Sequence, residues 1–322
     1  MAGHAAHRTA CLALALSLLL AGCVARGPVM SGKRTELVET PFFPQKKFQC
    51  GPAALATVLS GSGAPVTADE LSSLLYVPAR RGSLQVEMLA TPRSFARIAL
   101  PLPRTPGTLI AELEAGRPVL VLHNYGLPFW PRWHYAVLIG YDPGKDVFVL
   151  RSGSKRRQEM RTRRFMIAWH YGGRWAMVVL RPGETAALDD PKSFLEAAAD
   201  FERAAKPADA RATFDAAVHR WPQEPVALVG RGTAAYRLGD LGAAARDYAA
   251  ALLLDTTQVG ARNNLAQTML DLGCPHRARQ LLEGVEVAGV DAPLREALND
   301  TRRTAETRAA SIQDSESCRA IP

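Results

Sequence analysis

Gln45-Lys46-Lys47-Phe48-Gln49-Cys50-Gly51-Pro52-Ala53-Ala54-Leu55-Ala56-Thr57-Val58-Leu59 decides how the rest of the chain is read. Proline is pre-organised for the first helical position and alanine and leucine propagate a helix, so the spacing predicts a helix that starts at or just after Cys50. A cysteine at a helix N-terminus meets the positive end of the dipole, which favours the thiolate, the nucleophilic form. The stretch reads as an activated nucleophile in need of a base, with Gln45 five residues upstream. Taken alone, it also fits a small buried cysteine at a helix start.

The opening residues 1–22 of the 322 have the three-part layout of a secretory signal. His4, His7 and Arg8 lead into an apolar run from Cys11 to Leu20, too short to span a bilayer. Leu20-Ala21-Gly22-Cys23 resembles the lipobox of bacterial lipoproteins, which implies cleavage before Cys23 and acylation of its sulfur. An ordinary cleaved signal with an incidental cysteine is the alternative. Lipidated Cys23 makes the membrane a partner, and Val24 after it resembles the outer-membrane-directed kind, which implies the periplasm. In that oxidising compartment Cys274 and Cys318 are able to pair, and the sequence leaves that open.

Lys and Arg number 39 against 31 Asp and Glu, a formal charge of +8. Much of the excess sits in Lys155-Arg156-Arg157 and Arg161 to Arg164. Lacking the interleaved aromatics of single-strand binders, this run reads as a solvated turn and edge strand, and no nucleic acid is expected as a partner. No cofactor or metal site is expected either. Composition divides the chain into a signal (1–22), a polar tether (23–40), a mixed domain (41–183), an alanine-rich helical region (191–300) and a polar tail (301–322). The breaker cluster Arg181-Pro182-Gly183-Glu184 marks the junction.

Within the mixed domain, helices are expected over 50–60, from Thr67 with Glu70 completing a capping box, over 84–95 with an interruption at Pro92, and over 105–115. Short apolar runs at 118–123, 134–141, 146–151 and 175–180 then read as strands, the second and third antiparallel across Asp142-Pro143-Gly144-Lys145. Helices followed by an antiparallel sheet give the α+β class. His134 opens a strand, so its ring is expected at the sheet edge, facing the helix that starts at Cys50.

The Gln45–Leu59 motif and His134-Tyr135-Ala136-Val137-Leu138-Ile139-Gly140-Tyr141-Asp142 together resemble the bacteriocin-processing, double-glycine-cleaving branch of papain-like cysteine peptidases, over about residues 40–180. The resemblance implies a papain-like α+β domain that hydrolyses peptide bonds. It implies Cys50 as nucleophile, His134 as general base and acid, and Gln45 as the donor to the oxyanion, with Gln49 ranked second. His123, at the end of a neighbouring strand, is the rival base. The third group, an aspartate in the family, falls at Ser152. A serine hydroxyl can set the imidazole tautomer but cannot stabilise an imidazolium as a carboxylate does. Either the pair works as a Cys-His dyad, or Asp142 or another group fills in, or catalysis is impaired.

From residue 191 a period of about 34 brings small and aromatic residues into register, as in tetratricopeptide repeats. The units are 191–224, 225–258 and 259–293, and Gly232, Tyr236, Gly239, Ala244 and Tyr248 fall at packing positions of the middle one. The resemblance implies an all-α tetratricopeptide-repeat solenoid that docks substrate or a protein partner; a packed appendage is the alternative. From about Arg302 the chain reads as a frayed tail. The whole reads as an exported, lipid-anchored cysteine peptidase acting on a peptide or protein. A non-catalytic adaptor, or an acyl transferase using the same thioester chemistry, is the alternative.

Overall fold

A computed structural model of the chain describes residues 32–80, 82–127, 129–314 and 318. The signal segment and Cys23 lie outside the described residues. Helix α1 (Cys50–Gly61) begins on Cys50 itself and buries Gly51 through Leu59. Helix α2 (Ala68–Leu75) opens on the expected capping box, with the Glu70 N–H donating to Thr67 Oγ1 and the Thr67 N–H donating to the Glu70 carboxylate. Helix α3 (Gln85–Ala90) gives way to a 3₁₀ turn over Thr91–Phe95, because Pro92 cannot extend it. Strand β2 (Ile98–Pro101), which the sequence reading omits, and helix α4 (Pro106–Glu114) follow.

Strands β3 (Val119–Asn124), β4 (Trp133–Asp142), β5 (Val147–Ser152), β6 (Lys155–Arg161) and β7 (Ala176–Leu180) complete one antiparallel sheet in the order β2-β7-β3-β4-β5-β6. Strand β1 (Thr35–Glu36) pairs with β4 at Tyr141 and Gly140, beside the part of β4 that β3 does not reach. The tether expected over 23–40 is therefore shorter. Thr35 and Glu36 belong to the sheet, the Leu37 N–H donates to the Ile139 carbonyl at 2.7 Å, and Thr40 is buried. Strand β6 is the solvated edge strand that the basic run suggests. Helix α5 (Thr162–Tyr171) was not expected from that run. Its Phe165, Ala168 and Trp169 recur at helical spacing and are buried, which outweighs the arginines of its first turn.

Alternation along the strands divides the interior into two layers. Ala136 and Leu138 of β4 face α4, α5 and the C-terminal helices, whereas Tyr135, Val137 and Ile139 face α1 and α2. The C-terminal region is helical: α6 (Pro191–Glu202), α7 (Pro207–Arg220), α8 (Pro225–Arg237), α9 (Leu241–Leu254), α10 (Val259–Asp271), α11 (Pro275–Leu282) and α12 (Ala292–Ala309). It does not pack separately. Phe194, Phe201 and Phe214 share one apolar cluster with Ile98, Leu100 and Val178 of the sheet. Fully buried Glu112 strengthens the seam, pairing with Arg117 at 2.5 Å and accepting from the Ala187 N–H at 2.7 Å.

Close approach of neighbouring helices depends on glycine. A Cβ on Gly230 would stand 2.2 Å from the Phe214 ring, and one on Gly232 would stand 2.9 Å from Tyr248. The expected fraying from Arg302 is not seen. Helix α12 runs to Ala309 with Thr301 and Ala305 buried, and Cys318 is joined to Cys274 by a disulfide. The polar sequence misleads there because α12 is amphipathic, with only the narrow stripe of Leu298, Thr301 and Ala305 turned inward.

Candidate active site

Cys50 stands where the loop 45–49 turns into α1. Phe48, two residues earlier, has φ 66, a left-handed conformation that is costly for a bulky residue and is held by the turn in which the Gln49 N–H donates to the Lys46 carbonyl at 3.0 Å. The turn sets the Cys50 side chain at the junction of α1 with the sheet. There the backbone N–H groups of Tyr135, Gly51 and Cys50 itself are directed at the thiol. Tyr135 is the strand neighbour of His134. The β4–β5 ladder stops at Val137↔Arg151, so this end of β4 projects beyond it.

His134 does not face α1 as expected. Side chains alternate along β4, and Tyr135 is the residue that turns to α1, while His134 shares the opposite face with His123, its cross-strand partner. From there Nε2 of His134 lies 2.9 Å from Oγ of Ser152, which leaves Nδ1 as the nitrogen available to a thiol. Thiol and imidazole thus approach the same end of β4 from two sides. Among the described residues they are not joined by a hydrogen bond.

Two openings meet at Cys50. One is a slot of about 10 Å³, scarcely room for one water molecule, that Cys50 shares with Gln45, Arg151 and Ser152. The Gln45 N–H donates to the Gly153 carbonyl at 3.1 Å, which ties the glutamine to the turn after Ser152. The other is a cleft of about 920 Å³, walled by Trp133, Tyr135, Tyr171 and Trp175, with Arg80 and Arg104 also lining it. Gln45, Cys50 and Ser152 are therefore brought together, and His134 joins them through Ser152. Gln49 is the N-cap of α1 but makes no side-chain cap.

The electrostatics differ from the expectation for a helix-start cysteine. Burial pushes the Cys50 thiol above its ordinary value, and the three N–H groups only partly offset that. Burial likewise pulls the His134 imidazole below its usual range. Desolvation of this partly covered site acts against the charged form of both groups.

Among the other candidates, His123 is fully buried, with Nδ1 2.9 Å from the Tyr125 hydroxyl, and it lines neither opening at Cys50. Asp142 lies at the far end of β4, where it pairs with Arg34 at 3.3 Å, so it cannot serve His134. His170 does line the cleft. Sequence reasoning missed Arg151, whose buried guanidinium donates to the carbonyls of Val38 and Thr40 at 2.8 and 3.0 Å and to that of Arg156. It also missed Tyr125, whose ring packs on His134 with centroids 5.6 Å apart. Contacts so distant in sequence leave no local signal. Among the described residues no group of three or more His, Cys, Asp or Glu could hold a metal ion, and no helix is long and apolar enough to cross a membrane.

No curated protein matches the chain. Among solved structures it is similar to a C39-like peptidase from Bacillus anthracis, at 18% identity and a TM-score of 0.40, over 48% of this chain and 99% of that one. It is also similar to the peptidase domain of Streptococcus ComA, a bifunctional ABC transporter of a quorum-sensing pathway, at 20% identity and a TM-score of 0.37, over 44% of this chain and 99% of that one. A third is a double-glycine-motif protease from an AMS/PCAT transporter in complex with its leader peptide, at 18% identity and a TM-score of 0.34, over 46% and 95%. Residues 37–177, which carry α1, most of the sheet and the candidate site, match the model of the Peptidase_C39 like family.

Proposed function

We propose that the protein is an exported, lipid-anchored cysteine peptidase that cleaves a peptide or protein entering the cleft beside Cys50. The observation that carries this reading is the convergence of Gln45, Cys50 and Ser152 on one slot, with Nε2 of His134 2.9 Å from Oγ of Ser152. In the reaction the thiol proton passes to Nδ1 of His134 as sulfur attacks the scissile carbonyl. The developing oxyanion is met by the Cys50 N–H and the Gln45 side-chain amide. His134 then returns the proton to the departing amine as the C–N bond breaks. Water, deprotonated by His134, resolves the thioester; an amine in its place would give acyl transfer. Tetratricopeptide-like packing of α6 to α11 offers a docking surface for substrate or a partner, and acylation of Cys23 supplies the membrane anchor.

A second reading, a peptidase-fold adaptor that binds peptide without cleaving it, is favoured by Ser152 in place of a carboxylate and by the burial that pushes the Cys50 thiol above its ordinary value. The rate of Cys50 alkylation by iodoacetamide as a function of pH, in wild type and His134→Ala, separates the two. A peptidase shows an alkylation rate at neutral pH that depends on His134. Identical profiles with an inflection at or above the ordinary thiol value of about 8.5 would leave the adaptor. Cys23→Ala is expected to release the protein from membranes, and persistence in the membrane fraction would remove the lipid-anchor reading.

A further inference from the structure

Tyr125, the first residue after β3, is held from several sides. Its N–H donates to the Arg132 carbonyl at 3.0 Å, and the side-chain oxygen of Asn124 accepts from the N–H groups of Gly126 and Arg132, each at 2.8 Å. Its hydroxyl lies 2.9 Å from Nδ1 of His123, and its ring lies over His134 with the planes 34° apart. His123 in turn meets Phe165 edge to face, with centroids 4.9 Å apart.

His123 is an expensive residue for this place. It is fully buried, and its Nε2 has no partner among the described residues. An unsatisfied buried polar atom keeps its full desolvation cost, which an apolar side chain would avoid. What the imidazole adds is its bond to the Tyr125 hydroxyl.

A carboxylate beside a catalytic histidine does two things: it fixes the ring and it stabilises the imidazolium. The Ser152 hydroxyl turns on a free single bond, so it fixes the ring weakly, and as a neutral dipole it stabilises the cation little. Resting on the assignment of His134 as the base, we propose that Tyr125 is a positioning residue that performs both tasks in part. Its ring clamps the imidazole against Ser152 and excludes water from that bond, which strengthens it. Its face, within about 6 Å of the ring that becomes charged, stabilises the imidazolium once the Cys50 proton has reached Nδ1. His123 is the latch that holds Tyr125. Tyr125 itself exchanges no proton with substrate.

The test is the pH profile of Cys50 alkylation in the full chain, located by mass spectrometry, for wild type, His134→Ala, Tyr125→Leu and Tyr125→Phe, with a thermal midpoint for each. Tyr125→Leu is expected to slow alkylation at neutral pH by about tenfold and to move the profile toward that of His134→Ala; Tyr125→Phe, which loses only the bond to His123, is expected to slow it about twofold to threefold. A Tyr125→Leu profile that superimposes on wild type, while His134→Ala changes the profile, overturns the role of Tyr125 alone. An unchanged His134→Ala profile overturns the base assignment and this proposal with it. If Tyr125→Leu does not fold, the imidazole nitrogen chemical shifts of His134 in Tyr125→Phe decide: movement toward a mixed tautomer supports the clamp, and wild-type shifts overturn it.

Discussion

Nε2 of His134 is bonded to Oγ of Ser152 at 2.9 Å, so the imidazole is oriented by a neutral group. Ser152→Asp is expected to raise the His134 pKa, since an opposite charge within hydrogen-bonding reach favours the cation. Faster Cys50 alkylation at neutral pH should accompany it. NMR titration of the imidazole measures the shift, and an unmoved midpoint would show that the 152 side chain does not face the ring in solution.

His123 couples folding to acidity. Burial, with a smaller contribution from the neighbouring His134, pushes it from 6.5 down to about 3. Between those values the unfolded chain binds a proton that the folded chain refuses, so stability is lost as pH falls from about 6.5 toward 3, by about 1.4 kcal/mol per pH unit. Denaturant unfolding of wild type and His123→Leu at pH 7, 6 and 5 should show wild type losing more on acidification. Parallel losses would contradict the buried neutral histidine.

Helix contact through glycine is testable at Gly230, where an added Cβ meets the Phe214 ring at 2.2 Å. Gly230→Ala is expected to destabilise by about 1–3 kcal/mol despite the better helix propensity of alanine. Gly107→Ala, where a Cβ meets nothing within 4 Å, is the control and should be neutral or stabilising. Thermal unfolding compares the two.

The disulfide between Cys274 and Cys318 closes a loop of 44 residues. Replacing both cysteines by serine is expected to cost roughly 2–4 kcal/mol of stability. Cys50 alkylation in the folded protein should not change, because the bridge lies in the helical region, away from the site. A changed alkylation profile would reveal coupling between the last helices and the cleft.

Much of this was legible in the chain. Cys50 opens α1 because Gly51-Pro52-Ala53-Ala54 leaves little else for it to do, and Thr67 with Glu70 announces α2. The strand that carries His134 is a long apolar run bounded by turn residues. Local pattern failed where a few residues are decided by distant partners. β1 has two residues and exists because β3 pairs only Trp133 to Leu138, leaving the rest of β4 without a neighbour on that side. Helix α5 hides its apolar face behind arginines. That Gln45, Cys50 and Ser152 would be neighbours was readable, but side-chain directions were not. Placing His134 on the face opposite α1 requires knowing the register of β4, and the Tyr125–His123 contact requires knowing that β3 ends beside it.

The pairing of β1 with Tyr141 fixes where the chain before Thr35 enters the sheet. Tyr141 and His134 are seven residues apart on β4, about 24 Å along the strand. A segment joined ahead of Thr35 therefore meets the sheet at the end of β4 remote from the candidate site.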